Sequence, residues 1–186
     1  MNESLKILGI SGSLRRSSYN RLALIAAQRL LPAGVNLDIF DLEGLPLFNQ
    51  DTEDQPSAKV TEFKQKIREA DAVLFATPEY NYSIPGVLKN AIDCASRPYG
   101  DSAWAGKPVA VMGASVGLFG AARAQYHLRQ SFVFLDMFPV NQPEVMIGNA
   151  GEAFDEQGKL INETSQTLIR QLLENLVNLA KQLKKK

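Results

Sequence analysis

The sequence predicts an α/β domain: a doubly wound parallel sheet of five strands in the order 2-1-3-4-5, with helices on both faces. Three observations carry that prediction. Short apolar runs alternate with segments of helical periodicity five times along the chain, a pattern that specifies a parallel sheet joined by right-handed crossovers. The run Ala72-Val73-Leu74-Phe75-Ala76 is apolar without interruption, as suits a central strand covered on both faces. The first strand also feeds a hydroxyl-rich loop that opens a helix, and open parallel sheets bind ligands at such strand ends. At 186 residues, 45% of them hydrophobic, the chain is long enough to form one domain, 1–186, around a substantial core.

The first strand is the run Leu5, Ile7, Leu8 and Ile10. It breaks at Ser11, and Leu22, Ala23, Ile25, Ala26, Leu30 and Leu31 then recur at helical spacing until Ala33-Gly34 closes the helix. Val35, Leu37, Ile39 and Phe40 read as the second strand, and Asp41 to Pro56 as a long loop whose Leu45, Leu47 and Phe48 are expected to pack back on the body. Ser57 caps a helix carrying Val60, Phe63, Ile67 and Ala70 at spacings of three and four. The third strand, 72–76, ends in Thr77-Pro78-Glu79-Tyr80-Asn81-Tyr82-Ser83-Ile84-Pro85-Gly86. Pro85 suits the first position of the following helix, whose apolar stripe is Val87, Leu88, Ala91, Ile92 and Ala95. A turn-rich loop from Arg97 to Lys107 holds Tyr99 and Trp104. The fourth strand, 109–114, opens into Ser115-Val116-Gly117-Leu118-Phe119-Gly120. A helix from about Ala121 to Leu135 is apolar on nearly every side, and a fifth strand is expected from Val140, Val145, Met146 and Ile147. Gly148 to Leu160 reads as a polar loop. The last helix starts at Asn162 or Thr164 and carries Leu168, Leu172, Leu176, Leu179 and Leu183 on one face.

Three loops are rich in chemistry, and they follow strands one, three and four. In the 2-1-3-4-5 order those strands are neighbours, so the loops converge on one crevice. The first, Ser11 to Asn20, has the makings of an anion site. Helix-initial N–H groups lack internal partners and carry partial positive charge. Serine hydroxyls and Arg15 or Arg16 add donors, and Gly12 lets backbone come close. Capping alone needs one residue; five hydroxyl or amide groups in ten positions exceed that need. No Gly-Lys-Ser/Thr follows, against an NTPase loop. Gly9 and Gly12 do not match Gly-x-Gly-x-x-Gly. A ring of hydroxyls suits one terminal phosphate. The second loop adds Tyr80 and Tyr82, and the third adds Gly117 and Gly120. Together they fit a mononucleotide with a planar head. Flavin mononucleotide (FMN) is the best match, although the residues alone do not fix it.

Composition narrows the partners. Twenty basic residues balance twenty acidic ones, so there is no field to favour nucleic acid or a charged redox partner. The C-terminal Lys184-Lys185-Lys186 follows a helix, where cations suit the dipole. Cys94 is the only cysteine and His127 the only histidine, which excludes an internal disulfide, a cysteine metal cluster and a multi-histidine metal site. Cys94 reads as a buried, inert thiol. No leader-like segment precedes Ile7 and no apolar run approaches about twenty residues; the expected compartment is the cytoplasm, with no membrane partner. No catalytic triad or metal ligand set is expected.

Gly12-Ser13-Leu14-Arg15-Arg16-Ser17-Ser18-Tyr19-Asn20, the Thr77 to Gly86 segment and Lys89-Asn90-Ala91-Ile92-Asp93 resemble the NAD(P)H-dependent FMN reductase family. Tyr126-His127-Leu128-Arg129-Gln130, with Phe134-Leu135-Asp136, resembles its bacterial chromate and quinone reductases. The likeness covers nearly the whole chain and implies a flavodoxin-like fold. It implies that Ser13, Arg15, Ser17, Ser18 and Asn20 hold the FMN phosphate while Ser11 and Leu14 line that loop. Pro78, Glu79, Tyr80 and Asn81 would frame the isoalloxazine, Ser83 would support the turn, and Ser115 and Gly117 would approach the ring. Family members take hydride from NADPH or NADH and pass electrons to quinones, free flavins, azo compounds or metal oxyanions such as chromate. The flavin carries the chemistry, so no catalytic side chain is required.

Glu79 reads as a solvated turn carboxylate in preference to an acid near the flavin. His127 reads as a packing or interface residue. The all-round apolar 121–135 helix predicts a subunit interface, and the resemblance implies a homodimer or homotetramer with Arg123, Tyr126 and Glu144 as tetramer contacts. The alternative is a flavodoxin-like electron carrier without its own NAD(P)H activity; the zero net charge counts against it. A response-regulator-like domain would need acids where Ser11 and Thr77 stand. A flavin-free scaffold is the third alternative.

Overall fold

In the computed structural model, which describes residues 4–184, the chain runs β1 (Leu5–Ser11), α1 (Tyr19–Arg29), β2 (Val35–Phe40), α2 (Ala58–Glu69), β3 (Ala72–Ala76), α3 (Gly86–Ser96), β4 (Pro108–Ala114), α4 (Ala122–Phe134), β5 (Phe138–Pro139), β6 (Val145–Ile147), α5 (Ala150–Ala153) and α6 (Glu163–Lys184). Every strand pair is parallel, and the order is β2-β1-β3-β4 with β5 and β6 both on the far side of β4. The predicted 2-1-3-4-5 order therefore holds, with the fifth position shared by two short strands. β5 pairs with Pro108 and Val109, and β6 with Met112 to Ala114. Between them lies Pro143, which has no N–H to give a ladder and interrupts the strand read from Val140 to Ile147.

Side chains along each strand alternate between two cores. Leu5, Ile7, Leu74, Ala76, Ala110 and Met112 face α1 and α6, where they meet Leu24, Leu172 and Leu176. Leu8, Ile10, Val73, Phe75, Val109 and Val111 face α2, α3 and α4, where they meet Phe63, Leu88, Trp104 and Phe132. Period-two alternation on a sheet covered on both faces makes the strands read as continuous apolar runs. Small residues line the α1 side, which lets that helix close down on the sheet: a Cβ at Gly9 would meet Leu37 and Leu24 at 2.9 and 3.2 Å. The other side is aromatic. Phe75 lies 5.9 Å from Phe132 and 5.8 Å from Trp104, centroid to centroid, and the Trp104 indole N–H donates to Ile92 O at 3.0 Å.

Several local expectations change. Leu45 packs on the second core, but Leu47 is 85% exposed, and Phe48 sits at the surface with its N–H on Asn90 Oδ1 at 2.8 Å. Pro85 is the N-cap of α3, not its first helical residue. The polar stretch after Gly148 contains α5, and Phe154 bridges to Leu160. Helix α4 is not buried all round within one chain: Ala124, Gln125, Leu128 and Phe132 form its buried face, while the apolar Tyr126, Val133 and Phe134 are exposed. Among the described residues, no helix is long and apolar enough to cross a membrane.

Candidate functional site

The C-terminal ends of β1, β3 and β4 lie side by side, and their three loops are tied together there. The Ser11 to Asn20 loop is rigid at its root. Gly12 N–H donates to Ala76 O at 2.9 Å, and a Cβ at Gly12 would meet Leu88, Pro78 and Thr77, each at 3.2 Å. Only glycine lets the first loop lie this close to the second. The Ser11 hydroxyl turns inward, donating to Ser13 O and accepting from Ser13 N–H. Ser18 is the N-cap of α1, its Oγ accepting from Asn20 N–H at 3.2 Å. Asn20 is buried, and its amide is spent on the Ala114 peptide.

The remaining donors face a different fate. Ser17 and Arg16 are exposed and make no hydrogen bond among the described residues. The Arg15 guanidinium lies 5.7 Å from the Tyr19 ring. The N–H groups of Ser17 and Tyr19 find no acceptor among the described residues. The first turn of α1 holds no acid, although a helix N-terminus favours one. The loop itself carries no acid, and its free donors suit a phosphate; Glu152, Asp155 and Glu156 line the hollow on the outer side of Arg15, Ser17 and Tyr19. Leu14 is half exposed at the rim.

The second loop makes a tight hairpin. Tyr80 and Ser83 exchange two backbone hydrogen bonds of 3.0 Å. Asn81 and Tyr82 between them have φ of 51° and 66°, the twin left-handed pair of a type I′ turn. Asparagine tolerates that conformation; tyrosine is strained in it. Arg123 holds Tyr82 there, with its guanidinium 3.7 Å from the ring centroid. Glu79 anchors the base of the hairpin. Its side chain is 8% exposed, it pairs with the Arg123 guanidinium, and it accepts from Arg123 N–H at 3.1 Å and Ala124 N–H at 3.4 Å. Glu79 is therefore a buried cap of α4, not a solvated carboxylate. Bonding to Glu79 raises the Arg123 pKa above the ordinary arginine value. The Tyr80 hydroxyl reaches Ser13 Oγ at 3.5 Å, and the exposed His127 meets Ser83 through Nδ1 at 3.1 Å.

The third loop is packed backbone on backbone. A Cβ on Gly120, whose φ is 52°, would enter the Met146 backbone. Gln125, 1% exposed, donates from Nε2 to Gly120 O and Val145 O. Ser115 Oγ accepts from Gly117 N–H at 3.2 Å, and a Cβ at Gly117 would make an ordinary contact of 3.7 Å with the same Oγ. Val116, Leu118 and Phe119 are exposed around it.

The adjacent ends of β1, β3 and β4 thus set Ser13, Leu14, Arg15, Ser17, Pro78, Tyr80, Asn81, Ser83, Ser115 and Gly117 on three neighbouring loops, while the side chains of Ser11, Ser18, Glu79 and Asn20 are spent on the framework. Arg123, Thr77 and Gln125 belong to the framework too. Thr77 is fully buried, with its hydroxyl on Pro78 O at 2.8 Å. Nothing local in the sequence pairs Glu79 with a backbone 44 residues away. Arg123, Tyr126 and Glu144 engage within the chain: Arg123 as described, and Tyr126 through the neighbouring Glu144 carboxylate, which raises the phenol pKa above its ordinary value. Among the described residues, no group of three or more His, Cys, Asp and Glu could hold a metal ion.

Comparisons with known proteins show the family and the fold. Residues 5–152 match the family model described as NADPH-dependent FMN reductase. An NAD(P)H-dependent FMN reductase from Pseudomonas aeruginosa is 55% identical over 178 residues, 95% of each chain. A quinone reductase of Pseudomonas putida is 47% identical across 88% of this chain and 89% of its own. Among solved structures, FerB, a flavoenzyme NAD(P)H:(acceptor) oxidoreductase from Paracoccus denitrificans, superposes with a TM-score of 0.88 at 34% identity, covering 96% of this chain and 98% of its own. On the matched family model and these full-length likenesses, the chain belongs to the NADPH-dependent FMN reductase family.

Proposed function

We propose that the protein is an FMN-dependent NAD(P)H oxidoreductase that reduces quinones and related small acceptors. The observation that carries this reading is the carboxylate-free donor set of the Ser11 to Asn20 loop, fixed beside a rigid hairpin and an open glycine loop. Ser13, Arg15, Ser17 and the N–H groups opening α1 would hold the phosphate. The hairpin from Pro78 to Ser83 and the Ser115 to Gly117 backbone would frame the isoalloxazine. Bound there, FMN supplies the redox chemistry, taking up a hydride and handing electrons on. The chain's own residues orient the ring and leave its rim open, with Tyr80, Tyr82, Leu118 and Phe119 exposed around the mouth. Donor and acceptor then enter one slot in turn. Initial rates with NADPH or NADH and a benzoquinone should give parallel double-reciprocal lines; intersecting lines would contradict a shared slot. An open rim also admits azo compounds, free flavins and oxyanions such as chromate. Flavin that stays oxidised with both nicotinamides would favour the electron-carrier reading.

We further infer that the working form is a homodimer or homotetramer built through α4 and its neighbours. Support comes from the exposed Val133 and Phe134, at 85% and 80%, beside a cleft of about 610 Å³ lined by Phe48, Ile92, Tyr99, Phe134 and Leu135. Apolar surface of this kind on a soluble-type domain marks an association site. Light scattering should return a multiple of the 20.5 kDa chain mass; a single-chain mass would remove the idea.

A further inference from the structure

We infer that Asn20 is a positioning residue and not a phosphate ligand: its side-chain amide stands in for a missing length of β3 and fixes the third loop relative to the first. The inference builds on the FMN reading above. Strand β3 ends at Ala76, opposite Met112. Thr77 N–H still reaches Met112 O at 3.0 Å, and Pro78, which has no N–H, then turns the chain away. Strand β4 runs two residues further, to Ala114. On the β6 side its ladder continues, with Ser115 N–H donating to Ile147 O at 3.0 Å. Backbone groups alternate sides along a parallel strand. Met112 bonds toward β3, so Ala114 also addresses the β3 side, where no strand remains.

Ala114 is 2% exposed, so water cannot serve its N–H and C=O, and buried backbone groups require partners. Asn20 supplies both. Its Oδ1 accepts from Ala114 N–H at 2.9 Å, and its Nδ2 donates to Ala114 O at 3.0 Å. A primary amide carries donor and acceptor on one plane, as a peptide does; aspartate would offer only acceptors. The backbone N–H of Asn20 is itself taken by Ser18 Oγ, and the residue is 2% exposed. The clamp thus joins the start of α1 to the root of the Ser115 to Gly120 loop. A ligand whose phosphate sits on the first loop and whose ring meets the third spans this joint.

The test compares FMN with riboflavin, which lacks the phosphate, by fluorescence titration of the flavin-stripped full chain. In Asn20→Ala both dissociation constants should rise together, by about tenfold or more, which is the size expected from losing buried hydrogen bonds. Their ratio should stay at the wild-type value. In Ser17→Ala, a phosphate-side control, FMN should weaken and riboflavin should not. An Asn20→Ala protein that loses FMN affinity but keeps riboflavin affinity would overturn the inference, as would one that keeps both. If Asn20→Ala does not fold, amide hydrogen exchange on the wild type decides. The Ala114 amide should exchange slowly both without flavin and with saturating FMN, and fast exchange in either state contradicts the clamp. Failure of the wild type to bind either flavin would instead strike the functional reading, leaving Ala114 protection in the flavin-free chain as the test of the clamp.

Discussion

At the level of single residues, the site is held together by side chains that spend themselves on backbone. Glu79 is the clearest case. A carboxylate in a loop reads as solvated, because nothing within a few residues claims it. The claim comes from the N-terminus of α4, brought alongside by the fold. Replacing Glu79 by Ala removes a helix cap and should cost about 1–2 kcal/mol of stability, the usual range for caps, measured by urea unfolding. It should also loosen the hairpin, because Arg123, which holds Tyr82, would lose its partner. A second prediction concerns Gly120. Its φ of 52° and its contact with the Met146 backbone leave no room for a side chain, so Gly120→Ala should destabilise by more than the roughly 1–2 kcal/mol of a left-handed alanine. The residue types of the phosphate loop were legible from sequence because they cluster within ten positions. The division of labour among them was not: among the described residues, Ser17 and Arg16 find no side-chain partner, while Ser11, Ser18 and Asn20 are consumed internally.

At the level of elements, periodicity did most of the work. Strands β1 to β4 and helices α1 to α4 fall where apolar spacing puts them, because each buries one continuous face. Reading failed where an element is too short for a period. Helix α5 has four residues, and the split of the fifth strand depends on one proline. The 97–107 loop was legible only as a loop, yet charged side chains fasten it to α2. Lys64 Nζ, almost wholly buried, donates to Arg97 O at 2.5 Å and to Asp101 Oδ2 at 2.6 Å, and Arg68 reaches Asp101 Oδ1 at 2.5 Å. The Lys64 hydrogen bond, seconded by Arg68, lowers the Asp101 pKa below its ordinary value of 3.8. A depressed carboxylate adds stability above its unfolded pKa and loses it as pH falls through the folded one. Wild type and Asp101→Asn should therefore differ in Tm at neutral pH and converge as pH drops below about 4. A gap that stays constant across that range would contradict the ion pair's role. In the aromatic core, Phe75→Ala should cost about 3–5 kcal/mol, as buried phenylalanines do.

At the level of the whole molecule, the strand order decides function. Adjacent C-terminal ends of β1, β3 and β4 bring together a donor loop, a type I′ hairpin and a glycine loop that are separated by as many as a hundred residues in the chain. The doubly wound parallel sheet was legible from the five-fold alternation; the 2-1-3-4-5 order, and with it the convergence of the loops, goes with the flavodoxin-like fold that the resemblance implies. The ties that make the site rigid were not legible, since each joins residues far apart in the chain: Gly12 to Ala76, Asn20 to Ala114, and Glu79 to Ala124. A crevice fixed in this way before a ligand arrives needs only a cofactor that brings its own chemistry. The most direct measurement is the visible spectrum of the purified, FMN-reconstituted protein before and after anaerobic addition of NADPH or NADH. The account predicts flavin absorbance that disappears with at least one nicotinamide and returns when a quinone is added. A protein that stays colourless after incubation with FMN, or whose flavin bands persist with both nicotinamides, would contradict it.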